Sequence, residues 1–228
     1  MIDRTDGDLV AERPGRSRIL HRHGIDFCCQ GARTLGEACD GSRVAVEAVL
    51  GEFAAEVAQP AAKVPNPAAL PLHELCAYIV ETHHGYLRRE LPRLRTMAQQ
   101  VAAVHGRHTP SLIEVSNVYM ALADELASHV LKEENILFPA IVAMSCGESC
   151  FMPLDGPITC MLHEHDDAGH GLARLRELTN GFEPPADACN TYRALFAGLL
   201  ELEDDLHRHI HLENSVVFPQ AQAMVTRA

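Results

Sequence analysis

The chain has 228 residues, enough for one good core and a small extra domain. Its formal net charge of −12 argues against a nucleic-acid backbone as partner, since that surface calls for clustered Lys and Arg. No apolar run reaches transmembrane length, and Met1-Ile2-Asp3-Arg4 lacks the basic-then-apolar order of a signal peptide, so a cytoplasmic protein without membrane attachment is expected.

In that compartment the eight cysteines are expected as thiols, metal ligands or redox groups rather than structural disulfides. Fourteen histidines, no Trp and little β-branched alternation suit a helical metalloprotein.

Residues 1–59 read as a small helical N-terminal domain. It carries the adjacent pair Cys28 and Cys29 between Gly24 and Gly31, and those glycines mark a turn that would expose the thiols. Free cysteine is otherwise among the most buried residue types, and packing is the competing reading. His21, Arg22 and His23 would lower a thiol pKa if the fold brought them close. Residues 60–71 are Pro-rich, cannot continue a helix and read as a semi-rigid linker.

Beyond the linker, residues 72–228 predict four long helices over 72–104, 111–144, 157–179 and 187–225. Their breaks are marked by Gly106 to Pro110, Cys146 to Pro157 and Asn180 to Pro185. Short connections imply an all-α, up-down-up-down four-helix bundle. Pro139 and Pro219 should kink or terminate the second and fourth helices.

The pattern H-x-x-x-E-x-x-x-x-F-P occurs twice, from His129 through Glu133 to Phe138-Pro139 and from His209 through Glu213 to Phe218-Pro219, each position offset by 80. Residues four apart lie on nearly one helical face, so each copy aims an imidazole and a carboxylate at one point. A single such pair is usually solvated. Repetition, and apolar neighbours such as Val130-Leu131 and Val216-Val217, point instead to burial, where charges need partners or a metal.

Upstream lie Glu81-Thr82-His83-His84 and His163-Glu164-His165-Asp166. Spacing leaves the choice of histidine open: His83 and His163 each precede the repeat's histidine by 46 residues, His84 and His165 by 45 and 44. Four imidazoles and two carboxylates suit iron, zinc, copper or nickel, with a carboxylate able to bridge two ions and positions left for solvent or a small gas.

The duplicated motif, the segment from His84 to Arg89-Glu90-Leu91-Pro92, and Glu164-His165-Asp166-Asp167-Ala168-Gly169 together resemble the hemerythrin-like domain of the RIC family, the di-iron proteins of iron-centre repair. Asp26-Phe27-Cys28-Cys29 is similar to that family's ScdA-type N-terminal domain. The resemblance covers nearly the whole chain. It implies two non-haem irons per chain, oxo- or carboxylate-bridged, held by His84, His129, Glu133, His165, His209 and Glu213, with the two glutamates as bridges.

It further implies repair of iron–sulfur clusters damaged by nitric oxide or oxidants, under nitrosative and oxidative stress. Labile iron would be supplied from the centre, nitric oxide or O2 bound as small ligands, and damaged iron–sulfur proteins met as partners, with a homodimer as one expected assembly. Cys28 and Cys29 would then act in transfer or client recognition. The alternatives are nitric oxide reduction at the same centre, which would make the chain an enzyme, and an O2 or nitric oxide carrier or sensor. Hydrolysis at two zinc ions is more remote.

The chain departs from the family pattern at Gln30, where a first glycine commonly follows the cysteines, which leaves only Gly31. His163 adds a second histidine beside the expected ligand. Cys146, Cys150 and Cys160 crowd the entry to the third helix and read as ordinary loop and core thiols or an accessory pair. His207 and His211 have no match in the first repeat and read as solvent-facing or supporting groups, while His73, His105, His108 and His170 read as surface or capping groups.

Overall fold

A computed structural model describes residues 1–58, 66–147 and 153–225. Residues 60–65 of the Pro-rich segment and Cys150 fall outside these. The described chain is helical, with α1 (Asp6–Glu12), α2 (Arg16–Arg22), α3 (Leu35–Gly41) and α4 (Val46–Ala58) in the N-terminal region. The expected first long helix is α5 (Leu72–Ile79) and α6 (Gly85–His105), and the second is α7 (Ser111–Lys132) and α8 (Phe138–Ser145). The third is α9 (Asp155–Leu178), and the fourth is α10 (Asn190–Leu212) and α11 (Phe218–Val225).

The chain divides into two compact units. One comprises Met1–Tyr78, Ile141–Leu154 and His207–Ala228, the other Ile79–Ala140 and Asp155–Leu206. The second unit contains the four-helix bundle. Leu87, Leu91, Leu94, Ala98 and Val101 on α6 recur at helical spacing and are buried with Leu112, Val115, Tyr119, Leu122 and Leu126 of α7. Leu172 and Leu175 of α9 and Leu195, Leu199, Leu202 and Leu206 of α10 complete this core. Tyr119, fully buried, donates its hydroxyl to the Leu91 carbonyl at 2.9 Å, the pairing a phenol needs away from water.

Neither Pro139 nor Pro219 ends its helix, which corrects termination as an expectation. Each lies at the second position of a new α segment, directly after a π-helical turn, Glu133–Leu137 or Glu213–Val217. A proline ring crowds the carbonyl four residues back and offers no N–H. A turn whose bonds reach five residues back accommodates both deficits.

In the first unit, Thr5 caps α1 by accepting the Asp8 N–H, and Thr34 exchanges reciprocal bonds with Glu37 to cap α3. An isolated β-bridge joins Thr5 to Thr34. Leu9, Leu20, Phe27, Leu35, Val49 and Phe53 form the core, and Ile210 belongs to it.

Asp6 is buried beside this core. Its Oδ1 accepts the Gly7 N–H at 2.9 Å, whereas Oδ2 has no hydrogen-bond partner among the described residues. Burial, opposed by that bond, pushes the carboxyl up from 3.8 to about 7. The folded state therefore holds this proton more tightly than the unfolded state, and the associated stability, complete below the unfolded value, is lost as pH rises through the folded one. Asp6→Asn should raise stability at pH 8 by roughly 2 kcal/mol, or about 4–8 °C in Tm. The gain should shrink as pH falls from about 7 and vanish near pH 4, as thermal unfolding across pH will test.

Candidate metal centre

Three π-helical turns, Val80–His84, Glu133–Leu137 and Glu213–Val217, each contain a residue singled out by the motifs. Their bonds run from the N–H of Gly85 to Val80, of Phe138 to Glu133 and of Phe218 to Glu213, five residues back in each case. Such turns concentrate at functional sites because they re-aim side chains that a regular helix would stagger.

In the first turn both histidines are buried, yet they serve different partners. His83 sets its Nδ1 3.0 Å from Asp205 Oδ1 on α10, and His84 sets its Nε2 3.3 Å from Glu133 Oε2.

Within the bundle unit His84, His129, Glu133 and His165 converge. His129 Nε2 lies 3.3 Å from the same Glu133 oxygen that faces His84, and His165 Nε2 lies 3.1 Å from His129 Nε2. Glu133 and His84 are fully buried, and His129 and His165 are at most 4 % exposed. Ligand atoms of His129, Glu133 and His165 fall within 4.8 Å of one another, a spacing that fits a common cation. In the other unit His209 Nε2 sits 2.9 Å from Glu213 Oε1, both buried, so the second repeat also aims its imidazole and carboxylate together.

The outer nitrogens decide what the inner ones can do. His84 Nδ1 is 2.7 Å from Glu134 Oε1, which Arg88 also contacts, and His129 Nδ1 is 2.9 Å from Glu164 Oε2, whose other oxygen meets Lys132. A carboxylate can only accept, so each Nδ1 carries the proton and each Nε2 of a neutral ring presents a lone pair inward. Glu164 is held below the usual carboxylate range by Lys132, His129 and Cys160 against an opposing burial effect. Sequence reasoning missed Glu134, Glu164 and Asp205 as partners. Glu134 directly follows Glu133 within the first motif, and the position equivalent to it in the second repeat holds Asn214, a difference visible in the sequence.

His163 is exposed on α9, with Asp167 its neighbour at 3.8 Å, while His165 turns inward. Two residues apart on a helix differ by about 200°, which accounts for the split. Cys146 and Cys160 are exposed, and Cys160 donates weakly to Glu164 at 3.4 Å.

The cysteine pair lies in the first unit. Asp26 Oδ1 accepts the N–H groups of Cys28 at 3.1 Å and Cys29 at 2.9 Å, and the Cys28 thiol at 3.2 Å. Cys28 is only 4 % exposed and Cys29 half-buried, so the turn does not expose both thiols as expected. The bond with Cys29, burial and the Asp26 charge push the Cys28 thiol well up from its ordinary value. Arg22 and His23, expected to lower a thiol pKa, pair with Glu52 instead.

Gly31 closes the loop. A Cβ there would stand 2.3 Å from the Phe27 carbonyl oxygen, whereas Gln30 is exposed and needs no glycine. Asn214 donates its side-chain amide to the Cys28 carbonyl at 3.1 Å. His211 is buried edge-on against Phe27 rather than solvent-facing, and burial pulls its imidazolium down to about 4.

No helix among the described residues is long and apolar enough to cross a membrane. Residues 77–221 match the hemerythrin HHE cation binding domain, and residues 2–57 match the ScdA_N domain, described as a domain of unknown function. Relatives named iron-sulfur cluster repair protein YtfE include those of Musicola paradisiaca, 40 % identical with 94 % of each chain covered, and Edwardsiella ictaluri, 40 % identical with 96 % of each covered. That of Escherichia coli is 37 % identical, with 97 % of each chain covered. With both domain models matched in order and curated relatives aligned over nearly their full length, the chain belongs to the RIC family of hemerythrin-like proteins.

Proposed function

We propose that His84, His129, Glu133, His165, His209 and Glu213 hold two non-haem iron ions, the two glutamates bridging them, and that the protein restores iron–sulfur clusters damaged by nitric oxide or oxidants. The observation that carries this is the convergence of His84 and His129 Nε2 on one Glu133 oxygen, with both Nδ1 protons committed to Glu134 and Glu164. Imidazole and carboxylate donors suit iron, and carboxylate-bridged pairs occupy helix-bundle interiors of this kind. The repair role follows from the relatives, which are named iron-sulfur cluster repair proteins.

Four imidazoles and two bridging carboxylates do not complete two octahedral spheres, which leaves exchangeable positions. When bound, the iron pair supplies sites for nitric oxide and a labile store of iron. The chain's own residues orient the imidazoles and bury them away from water. In this reading residues 72–228 form the metal-holding domain and residues 1–59 the domain that meets the damaged client, with Cys28 and Cys29 acting in transfer. The net charge of −12 makes a nucleic-acid partner unfavourable.

Glu133→Ala and Glu213→Ala should each lower iron content, measured as stoichiometry on purified protein, and abolish reactivation of a nitrosylated iron–sulfur enzyme. Full retention of both irons in either variant would remove that glutamate from the ligand set. His165→Ala should disturb the iron spectrum strongly and His163→Ala hardly at all, given their opposite burial. A larger loss from His163→Ala would overturn the assignment on α9. A Cys28→Ser, Cys29→Ser double variant should keep its bridged-iron spectrum but lose most cluster reactivation, and undiminished repair would confine the pair to packing.

A further inference from the structure

Beyond the His and Glu residues, one cluster among the described residues brings metal-ligating atoms together on a single short loop. Asp26, Cys28 and Cys29 each offer a donor atom, all within 4.8 Å of one another. Adjacent residues in an extended chain point their side chains apart, so two neighbouring thiols on one side require a special loop. The Asp26 carboxylate gathers both cysteine N–H groups, Gly31 lets the Phe27 carbonyl approach, and Asn214 fixes the Cys28 carbonyl.

The resulting separation is informative. Cys28 Sγ and Cys29 Sγ are 3.8 Å apart, too far for a bond between them. Two thiolates each about 2.3 Å from one tetrahedrally coordinated ion would stand about 3.8 Å apart. A carboxylate oxygen on the same ion would lie about 3.5 Å from each sulfur, and Asp26 Oδ1 is 3.2 Å from Cys28 Sγ. The loop holds close to ligand spacing without an ion to impose it.

We propose that Asp26, Cys28 and Cys29 form a second metal site, which takes a single borderline divalent cation through two thiolates and one carboxylate. Two sulfur donors select ions such as Fe2+, Co2+ or Zn2+ over Mg2+ or Ca2+. Binding replaces both thiol protons, which leave to solvent, and no electron is transferred. Three protein ligands leave a fourth position, and Cys29 and Asp26 reach the surface, so the ion can exchange. The site stands on this geometry alone. Only its service as a way-station for ferrous iron rests on the repair reading.

The test is a Co2+ titration of the thiol-reduced, iron-loaded full-length protein, followed as difference spectra so that absorption by the iron centre cancels. Thiolate-to-cobalt charge transfer in the near ultraviolet reports sulfur ligation, which imidazole and carboxylate do not produce. One further equivalent should bind with these bands. The bands should disappear in Cys28→Ser and in Cys29→Ser, and Asp26→Asn, which can still accept the loop N–H groups, should weaken binding by at least about tenfold. Circular dichroism and the iron stoichiometry of the His and Glu residues verify that each variant is folded.

Absence of the bands overturns the site, as does their persistence in the double cysteine variant. Clear bands in a protein with no cluster-reactivating activity would uphold the site and remove the repair reading. Full reactivation without the bands would do the reverse.

Discussion

The candidate centre depends on the hydrogen bonds that Glu134 and Glu164 accept from the outer nitrogens of His84 and His129. An imidazole buried in a bundle core can turn either nitrogen inward, and the tautomer decides whether that nitrogen is a donor or a lone pair. By committing Nδ1–H outward, the two glutamates give the interior two Nε2 lone pairs on the Glu133 carboxylate. Arg88 and Lys132 hold the glutamates in turn, near the surface where a cation is cheap to keep. Burying unpaired donors and acceptors would cost several kcal/mol. The charge needed to balance them sits outside the core, one hydrogen bond away.

Backbone irregularity serves the same end. Each π turn coincides with a residue of the candidate ligand set, and two of them directly precede a Phe-Pro pair. The Phe-Pro that closes each repeat thus belongs to the same local unit as its histidine and glutamate. In an undistorted helix the proline would break the ladder. Following a wide turn, it starts a new segment and the helix runs on to Ser145 or Val225.

The two repeats share their motif but differ in the next residue. After Glu133 comes Glu134, which anchors His84. After Glu213 comes Asn214, which binds the carbonyl of Cys28. The second copy has therefore been turned toward the cysteine loop, where Ile210 enters the hydrophobic core and His211 lies against Phe27. The N-terminal helices, only 7 to 13 residues long, gain their burial from this packing rather than from intrinsic helical stability.

By itself the sequence determined the helical class, the four long helices to within a few residues, the duplication, and His129–Glu133 and His209–Glu213 as facing pairs, because these follow from periodicity and spacing within single helices. The family resemblance selected His84 over His83 and His165 over His163. In the tertiary structure His83 lies against Asp205 and His163 faces solvent. Glu134, Glu164 and Asp205 could be recognised only in space, since the bonds they make join residues 50, 35 and 122 positions apart. The burial of Cys28 was likewise beyond a local reading. A turn sequence states where the chain reverses, but whether its thiols meet water depends on what packs above them, and here that includes side chains nearly the whole chain length away.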